Sequence, residues 1–352
     1  MIVIKKNKII LLIASICFVL SGCANNIPNY VSSGVDIYVS DDVDVFGNKI
    51  ENKDDIQNIS QNTTIKENES PSYFEENTED SNLQVYFIDV GQADSILIRI
   101  DDDENILIDG GNNADGNDLV NYLEYLGVEK IDTIIATHPH EDHIGGLDDV
   151  MNNIPCDKIY MPYINEEDIP TTVTYEDFLN AIVDNDLIAY QAHNNDVIYD
   201  SGITKLQVIS PDTVEPGDLN DYSIVCKLTH GETSFMFTGD ASIKIDEDIM
   251  DNYSSTFLDV DVLKLGHHGS RTSTNEKWLS ITSPTYAVIM CEKGNKYGHP
   301  HQEVLQLLNN IKTYRTDDDG TILFTSDGKN IEVKTKLTGD APLGNKNFKM
   351  QN

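Results

Sequence analysis

Four side chains that commonly bind metals lie within six positions of this chain: His138, His140, Asp142 and His143. They directly follow the β-branched apolar run 131–136, which is typical of a buried strand. Imidazoles and a carboxylate gathered at a strand end are costly to remove from water unless a cation holds them. Nitrogen and oxygen donors of these kinds suit divalent transition metals. The spacing therefore predicts a site for one or two such ions, and a histidine-rich surface loop without metal is the simpler alternative.

Ligand-type side chains also follow four other apolar or glycine-rich runs. They are Asp109 at the end of 105–109, Asp240 at the end of 234–240, His267 and His268 within 263–270, and His299 and His301 within 296–301. Layered α/β folds place their chemistry in loops at strand ends. We therefore treat all six as candidate site residues.

The two carboxylates among them suit different roles. Asp240 is a candidate metal bridge, because one carboxylate can offer an oxygen to each of two cations. Asp109 lies between a buried run and a glycine turn, where a carboxylate often only caps the turn. Pro139 with Gly145 and Gly146 predicts that no regular helix runs through the histidine cluster itself.

The histidines outside the cluster are candidates for substrate contacts as well as for metal binding. Adjacent histidines in a glycine-flanked turn point in different directions, so we expect one of His267 and His268 to bind metal. The other stays free to bind a substrate oxygen or to protonate a leaving group. His299 and His301 could present donors to an anion at the start of the helical run 302–309. The alternative is that they are ordinary turn histidines.

Strand-like and helical runs alternate over most of the chain after Leu83. Strands are predicted at 84–90, 95–100, 105–108, 131–136, 157–160, 204–209, 223–229, 234–237, 260–265, 286–290, 321–325 and 331–335. Helices are predicted near 115–126, 144–152, 174–184, 241–251, 274–281 and 302–311. Opening strands followed by strand–helix alternation predict a layered α/β fold with mixed sheets.

The amino-terminal segment has the pattern of a bacterial lipoprotein signal peptide. Three lysines precede a short apolar stretch, and Leu20-Ser-Gly-Cys23 has the form of a lipoprotein processing site. We predict a signal peptide at 1–22 and lipidation of Cys23, which would anchor the protein to a membrane from outside the cytoplasm. An uncleaved anchor helix is the alternative, and it implies the same side of the membrane.

Composition predicts three further segments and limits the partners. Residues 23–80 are acidic and polar, which predicts a disordered tether; a folded domain is predicted at 81–335, and a polar tail at 336–352. The net charge of −36 argues against broad electrostatic capture of nucleic acid or anionic membrane. It leaves a phosphate substrate open, because bound metal can supply the local positive charge. The cysteines predict no disulfide framework, and we expect a monomer.

Together these motifs resemble the metallo-β-lactamase fold superfamily, and within it the exported hydrolase domain of ComEC-type competence proteins. The motifs that carry the resemblance are Phe87–Ser95, Leu107–Gly111, His138–His143, Thr238–Asp240, His267–Ser270 and Tyr297–His301. The resemblance implies an α/β protein with the αββα four-layer sandwich of that superfamily. It also implies two divalent metal ions, zinc or manganese, in a cleft at one edge of two packed sheets.

The resemblance further implies a role for each candidate residue. For the first metal the ligands are His138 and His140; for the second they are Asp142, His143 and His268, with Asp240 bridging the two. His267 would face the substrate, and Asp109 would orient the cluster from behind. Asp142, His267, His299 and His301 are the residues expected to take part in catalysis.

The sequence departs from the superfamily pattern at one place. Many members supply a third histidine to the first metal from a segment ahead of the Thr-Gly-Asp strand, and here that stretch, 220–225, contains none. ComEC-like domains have a similar Asn/Ser pattern. The first metal thus has fewer nitrogen ligands, which favours manganese over zinc there.

The expected function is extracytoplasmic, metal-dependent hydrolysis of a phosphodiester, with DNA cleavage by a ComEC-type nuclease as the leading hypothesis. Two metals about 3.5–4 Å apart would lower the pKa of a bound water and clamp the phosphoryl oxygens. One alternative is a cell-envelope phosphoester esterase, such as one that removes phosphocholine from wall polymers. Another is a metal-bound surface scaffold without catalysis. Hydrolysis of β-lactams is less favoured, since those enzymes carry the third histidine.

Overall fold

The computed structural model describes residues 83–101, 104–211 and 217–335. The predicted signal peptide, the lipidation site at Cys23, the tether at 23–80 and the tail at 336–352 lie outside these described residues. Among the helices within them, none has the length and apolar character needed to span a bilayer.

Fifteen strands of the described residues form two sheets. The chain first builds β1 (Leu83–Phe87), β2 (Ile96–Ile100), β3 (Glu104–Ile108), β4 (Ile131–Ile135), β5 (Cys156–Met161) and β6 (Ile188–Gln191). It continues with β7 (Val197–Asp200), β8 (Thr204–Ser210), β9 (Val225–His230), β10 (Thr233–Phe237), β11 (Val262–Lys264), β12 (Tyr286–Ile289) and β13 (Lys312–Arg315). It ends with β14 (Ile322–Ser326) and β15 (Ile331–Thr335).

Both sheets combine antiparallel and parallel pairs. The first has the order β15-β14-β1-β2-β3-β4-β5-β6, and the second has the order β13-β12-β11-β10-β9-β8-β7. Strands β3 to β6 are parallel to one another, as are β10 to β13. Because the carboxyl ends of parallel strands lie at one edge of a sheet, the loops after β3 and β4 share an edge, as do those after β10, β11 and β12.

The two sheets pack face to face through apolar side chains. Phe87 of the first sheet contacts Phe324 of the same sheet and Phe237 of the second, with ring centroids 5.7 and 6.2 Å apart. Successive strand residues point to opposite faces, so Tyr86, next to Phe87, belongs to the separate cluster on the outer face. Both faces of the central strands are buried, which explains their nearly continuous apolar sequences.

Helices cover the outer face of each sheet. On the first sheet lie α1 (Gly116–Tyr125), α2 (Glu141–Ile144), α3 (Leu147–Asn153) and α4 (Val173–Asp184). On the second lie α5 (Ile243–Asn252), α6 (Ser255–Leu258), α7 (Glu276–Thr282) and α8 (Gln302–Leu307), and the short α9 (Thr316–Asp319) precedes β14. The layers run helix, sheet, sheet, helix, so the α/β prediction of an αββα sandwich is confirmed.

Several elements differ from their prediction. Strands β6, β7 and β13 were not predicted, and the helix predicted at 302–311 stops at Leu307, before β13. The prediction that no regular helix runs through the histidine cluster is correct only for its extended first half, because one helical turn, α2, forms at 141–144. The cysteines at 156, 226 and 291 are free, as predicted.

The two glycines after α2 are required by close packing. A Cβ at Gly145 would lie 2.3 Å from the backbone nitrogen of Asn113, and one at Gly146 would lie 2.3 Å from the carbonyl oxygen of Gly110. Both contacts bring α2 against the loop that follows β3. The glycines therefore set how near the histidine cluster lies to Asp109.

Candidate metal centre

The loops that carry the candidate residues are joined by backbone hydrogen bonds where the two sheets meet. The Gly110 N–H donates to the carbonyl of His143 at 2.6 Å, which joins the loops after β3 and β4. The Ile224 N–H donates to the carbonyl of Thr137 at 2.9 Å, and this bond joins the two sheets. Side chains from five separate segments are thereby held at one edge of the sandwich.

Within the described residues, four groups of three ligand atoms lie within 4.8 Å of one another. They are His138, His143 and Asp240; Asp142, His143 and His268; Asp94, Asp109 and His143; and Asp94, Asp240 and His268. The first two groups consist of predicted metal ligands. The other two include Asp94, to which the sequence had given no role.

His138 and His140 face each other at the end of β4. The Nε2 atom of His138 lies 3.0 Å from the Nδ1 atom of His140. The other nitrogen of His138 lies 3.1 Å from the Thr137 hydroxyl and 3.4 Å from that of Ser223. Burial lowers the pKa of His138 well below its usual range. A neutral His138 with one nitrogen occupied by hydroxyl groups leaves the other for a cation.

His143 lies between two buried carboxylates. Its Nδ1 atom donates to Asp109 Oδ2 at 2.8 Å, and its Nε2 atom lies 3.3 Å from Asp240 Oδ1. Burial alone would lower the pKa of His143, but Asp240 and Asp109 raise it well above its usual range. The bond to Asp109 fixes the ring so that Nε2 points to the centre.

Asp109 accepts hydrogen bonds from the loop after β4. Besides His143, it accepts from the Thr137 N–H at 2.8 Å and from the Thr137 hydroxyl at 2.7 Å. Burial raises the pKa of Asp109, while His143 opposes that shift. The hydrogen bonds of Asp109 thus join it to the loop after β4 and to the candidate ligand His143.

His267 and His268 point in different directions from a left-handed turn. Their φ angles are 49° and 55°, in a region of backbone conformation that residues other than glycine rarely adopt. The side chain of His268 is 2% exposed; its Nδ1 donates to the Met290 carbonyl at 3.0 Å, and its Nε2 lies 3.3 Å from Asp142 Oδ2. The side chain of His267 is 29% exposed, and its Nε2 lies 3.8 Å from Asp240 Oδ2.

The charges of these side chains depend on one another. Burial would lower the pKa of His268, but Asp240 and Asp94 raise it to about 10. Burial would likewise raise the pKa of Asp142 and Asp240, but the surrounding histidines hold both well below the usual range. Asp142, Asp240 and His268 therefore favour one another's charged forms; Asp240 and His268 are removed from water, while the Asp142 side chain is 29% exposed.

Three atoms at the middle of the cluster have no hydrogen-bond partner within the described residues: His143 Nε2, His268 Nε2 and Asp240 Oδ1. A buried polar atom without a partner is costly, so a group that satisfies all three would be stabilising. Two imidazole nitrogens and a carboxylate oxygen are donors that divalent transition metals accept. The residues present therefore fit the metal ions that the sequence predicts.

His299 borders the centre, whereas His301 lies further out. The ring of His299 lies 5.4 Å from that of His267 and 6.2 Å from that of His268, centroid to centroid. Burial and the neighbouring histidines lower the pKa of His299 to about 4. His301 packs against His299 at 4.8 Å, and its Nδ1 accepts from the Arg271 N–H at 3.1 Å.

Asp94 and Lys264 are the residues of this centre that the sequence did not single out. Asp94 is 1% exposed and Lys264 is 0% exposed, and the Lys264 ammonium is in direct contact with Asp94 Oδ2. Burial would raise the pKa of Asp94, but Lys264 and His268 lower it below its usual range. One feature of the sequence could have indicated this buried pair: Lys264 lies inside the apolar run 262–265, where an unpaired ammonium would be costly.

An open cavity of about 770 Å³ begins beside Asp142. The carboxylates that line it are Asp89, Asp115, Glu141, Asp142, Glu292 and Asp317, and the cations are Lys293 and Lys296. Tyr297, which is half exposed, adds an aromatic ring. The approach to the centre is thus acidic, apart from any charge that bound metals add.

The family model for the Metallo-beta-lactamase superfamily matches residues 88–292. This match covers more than half of the chain and includes the histidine cluster, Asp240 and both histidines of the left-handed turn. The chain belongs to the Metallo-beta-lactamase superfamily. The prediction of a metal-dependent hydrolase of this superfamily is therefore confirmed at the level of the family.

Within that superfamily, the chain is similar to competence proteins. It is 29% identical over 262 residues to ComE operon protein 3 of Bacillus subtilis, covering 68% of this chain and 33% of that protein. It is 29% identical over 256 residues to competence protein ComA of Neisseria gonorrhoeae, covering 72% of this chain and 34% of that protein. The chain spans about a third of the length of the curated relatives it matches.

Among solved structures, the metallo-beta-lactamase fold protein YhfI of Bacillus subtilis superposes with a TM-score of 0.46. It is 12% identical and covers 70% of this chain and 100% of that chain. The family assignment rests on the sequence match and on the four layers.

Proposed function

We propose that this chain is a metal-dependent phosphodiesterase with two divalent ions. The observation that carries the proposal is the convergence of three buried ligand atoms that form no hydrogen bond within the described residues, on His143, His268 and Asp240, at the edge where the sheets meet. Metal ions bound there supply positive charge for a phosphoryl group and lower the pKa of a bound water. An anionic substrate can therefore bind despite the acidic surroundings.

The proposed ligands fall into two sets that share Asp240. The first set is His138 and His140, and the second is Asp142, His143 and His268. Asp240 lies near members of both sets: one of its oxygens is grouped with ligand atoms of His138 and His143 within 4.8 Å of one another, and its Oδ2 lies 3.6 Å from His268. Asp109 holds the ring of His143. The first set has two imidazoles where many superfamily members have three, which makes manganese plausible there.

His267 and His299 are proposed to contact the substrate. Both have a lowered pKa, so both are neutral near pH 7. A neutral imidazole still carries one N–H, which can donate to a phosphoryl oxygen as negative charge develops there. Gln92 Nε2 lies 3.3 Å from His299 Nδ1 and helps to hold that ring. His301 supports His299 by packing against it.

DNA is the leading substrate, since the similar proteins are named for competence. The test is cleavage of single-stranded DNA and of bis(4-nitrophenyl) phosphate by purified protein loaded with zinc or manganese. We expect hydrolysis of the model diester with at least one metal, and none with Asp142→Ala. Absence of cleavage of both substrates by metal-loaded, folded protein would sink the proposal.

The acidic cavity favours a second candidate, a small phosphoester that carries a cation. Its six carboxylates oppose a polyanion and attract an organic cation. Tyr297 already has the Lys296 ammonium 4.9 Å from its ring centre, and aromatic rings among carboxylates are typical of ammonium binding. A phosphocholine ester of the cell envelope would fit this chemistry. If this candidate is correct, the choline ester is hydrolysed faster than DNA at low salt, and added salt reduces this difference in rate.

The cellular setting belongs to the same proposal. We infer an extracytoplasmic lipoprotein anchored through Cys23, with the tether at 23–80 between the membrane and the catalytic domain. Metabolic labelling with a radioactive fatty acid, compared between the wild type and Cys23→Ser, tests the anchor. A scaffold without catalysis remains the rival, and it would be favoured if His140→Ala removed metal without changing any activity.

A further inference from the structure

A buried ion pair lies behind the proposed metal ligands and joins the two sheets. Asp94 comes from the loop between β1 and β2 of the first sheet, and Lys264 is the last residue of β11 in the second. Their side chains are in direct contact, and both are removed from water. Replacing a buried pair with apolar residues is often neutral or stabilising, so stability alone does not account for such a pair.

The lysine end of the pair contacts the turn that carries Asp240. The Lys264 ammonium donates to the Gly239 carbonyl at 2.9 Å and lies 4.0 Å from Asp240 Oδ1. Gly239 has a φ of 50°, so the chain turns sharply just before Asp240. The ammonium therefore fixes the direction in which the Asp240 carboxylate leaves the backbone.

The aspartate end contacts His268, a histidine of the second ligand set. Asp94 Oδ1 lies 3.4 Å from His268 Nδ1, on the side of the ring that also donates to the Met290 carbonyl. The backbone of Asp94 is held as well: its N–H donates to the Asp142 carbonyl at 3.0 Å, and its carbonyl accepts from Gly111 at 2.9 Å. Asp94 thus touches the loops that supply Asp142 and His268.

We propose that Asp94 and Lys264 are positioning residues that hold Asp240 and His268 in a metal-binding arrangement. The inference rests on the proposed metal centre, but not on the substrate. Groups that orient metal ligands typically change metal affinity by about 10–100-fold when they are lost. The pair acts on two ligands at once, one from each of its ends.

The test is the Mn²⁺ affinity of Lys264→Met, measured by calorimetry on metal-free full-length protein without substrate. The matched control is Lys227→Met on the adjacent part of the second sheet. Lys227 is also a buried lysine, and it donates to the carbonyls of Phe257 and Asp259 instead. We expect at least a tenfold loss of affinity at one site for Lys264→Met and none for Lys227→Met.

The double variant Asp94→Asn/Lys264→Met keeps the test decisive if the single variant does not fold, because it removes both charges together. Under the proposal, the double variant folds yet still binds Mn²⁺ at least tenfold more weakly, and the visible spectrum of its Co²⁺ form differs from that of the wild type. Wild-type affinity and an unchanged Co²⁺ spectrum in the double variant would overturn the proposal. So would an equal loss in Lys227→Met. Since no substrate is present, a failure of the phosphodiesterase proposal would be seen separately.

Discussion

Asp109→Asn should weaken metal binding by reversing the protonation of His143. Oδ1 of Asp109 accepts from the Thr137 N–H, so the amide oxygen of the asparagine must stay there. Its NH₂ group then takes the place of Oδ2, which accepts from His143 Nδ1 at 2.8 Å. His143 must now accept at Nδ1 and carry its proton on Nε2, the nitrogen that faces Asp240. A protonated nitrogen cannot bind a metal.

The expected loss is about 10–100-fold in metal affinity, which corresponds to about 1.4–2.8 kcal/mol. The assay is Mn²⁺ and Zn²⁺ binding by calorimetry, with circular dichroism to verify that the variant is folded. Asp246→Asn is the matched control. Asp246 is equally buried, burial raises the pKa of its carboxyl group well above the usual range, and it belongs to none of the four groups of ligand atoms.

Wild-type metal affinity in folded Asp109→Asn would contradict this prediction, because it would mean that Asp109 does not determine which nitrogen of His143 carries the proton. An equal loss in Asp246→Asn would refute it too, since the effect would then follow from any change to a buried carboxyl group.

Three further predictions follow from the same geometry. His268→Ala should lose one metal ion per chain, whereas His267→Ala should keep both and lose about 10²–10³-fold in kcat; metal analysis with steady-state kinetics checks this, and equal effects of the two would contradict it. Metal uptake at pH 8 should release protons, because the pKa values of His143 and His268 are raised, to about 10 for His268. The protonated histidines stabilise the metal-free fold fully below the ordinary histidine pKa, and this stabilisation is lost as the pH rises through about 10. Calorimetry of metal binding in two buffers of different ionisation enthalpy checks this, and equal heats in the two buffers would contradict it. Phe87→Ala should lower the free energy of unfolding by about 3–5 kcal/mol, since the ring fills the space between the sheets; urea denaturation checks this, and a loss under about 1 kcal/mol would contradict it.

The sequence predicts the main elements of this fold because its strands are buried on both faces. Runs such as 96–100 and 131–135 are almost wholly apolar, and twelve of the fifteen strands coincide with predicted runs. The three strands that were not predicted are short and partly exposed. In β13, Lys312 and Arg315 interrupt the apolar pattern, and pairing with β12 supplies the order that the local sequence does not.

The candidate ligands were accessible from the sequence because they are clustered or follow strands directly. Asp94 and Lys264 were not, because their proposed role depends on a contact between the two sheets, and the two residues are 170 positions apart in the chain. The difference between His267 and His268 also needs the structure. Both have a left-handed backbone, and only the surrounding carboxylates and the Met290 carbonyl show which ring is enclosed.

The most direct test of a two-metal phosphodiesterase is a titration of metal-free protein with Mn²⁺ while hydrolysis of bis(4-nitrophenyl) phosphate is followed. We expect no hydrolysis without metal and a rate that rises until two ions per chain are bound. A full rate with a single ion, or no hydrolysis at any ratio of metal to folded protein, would contradict it.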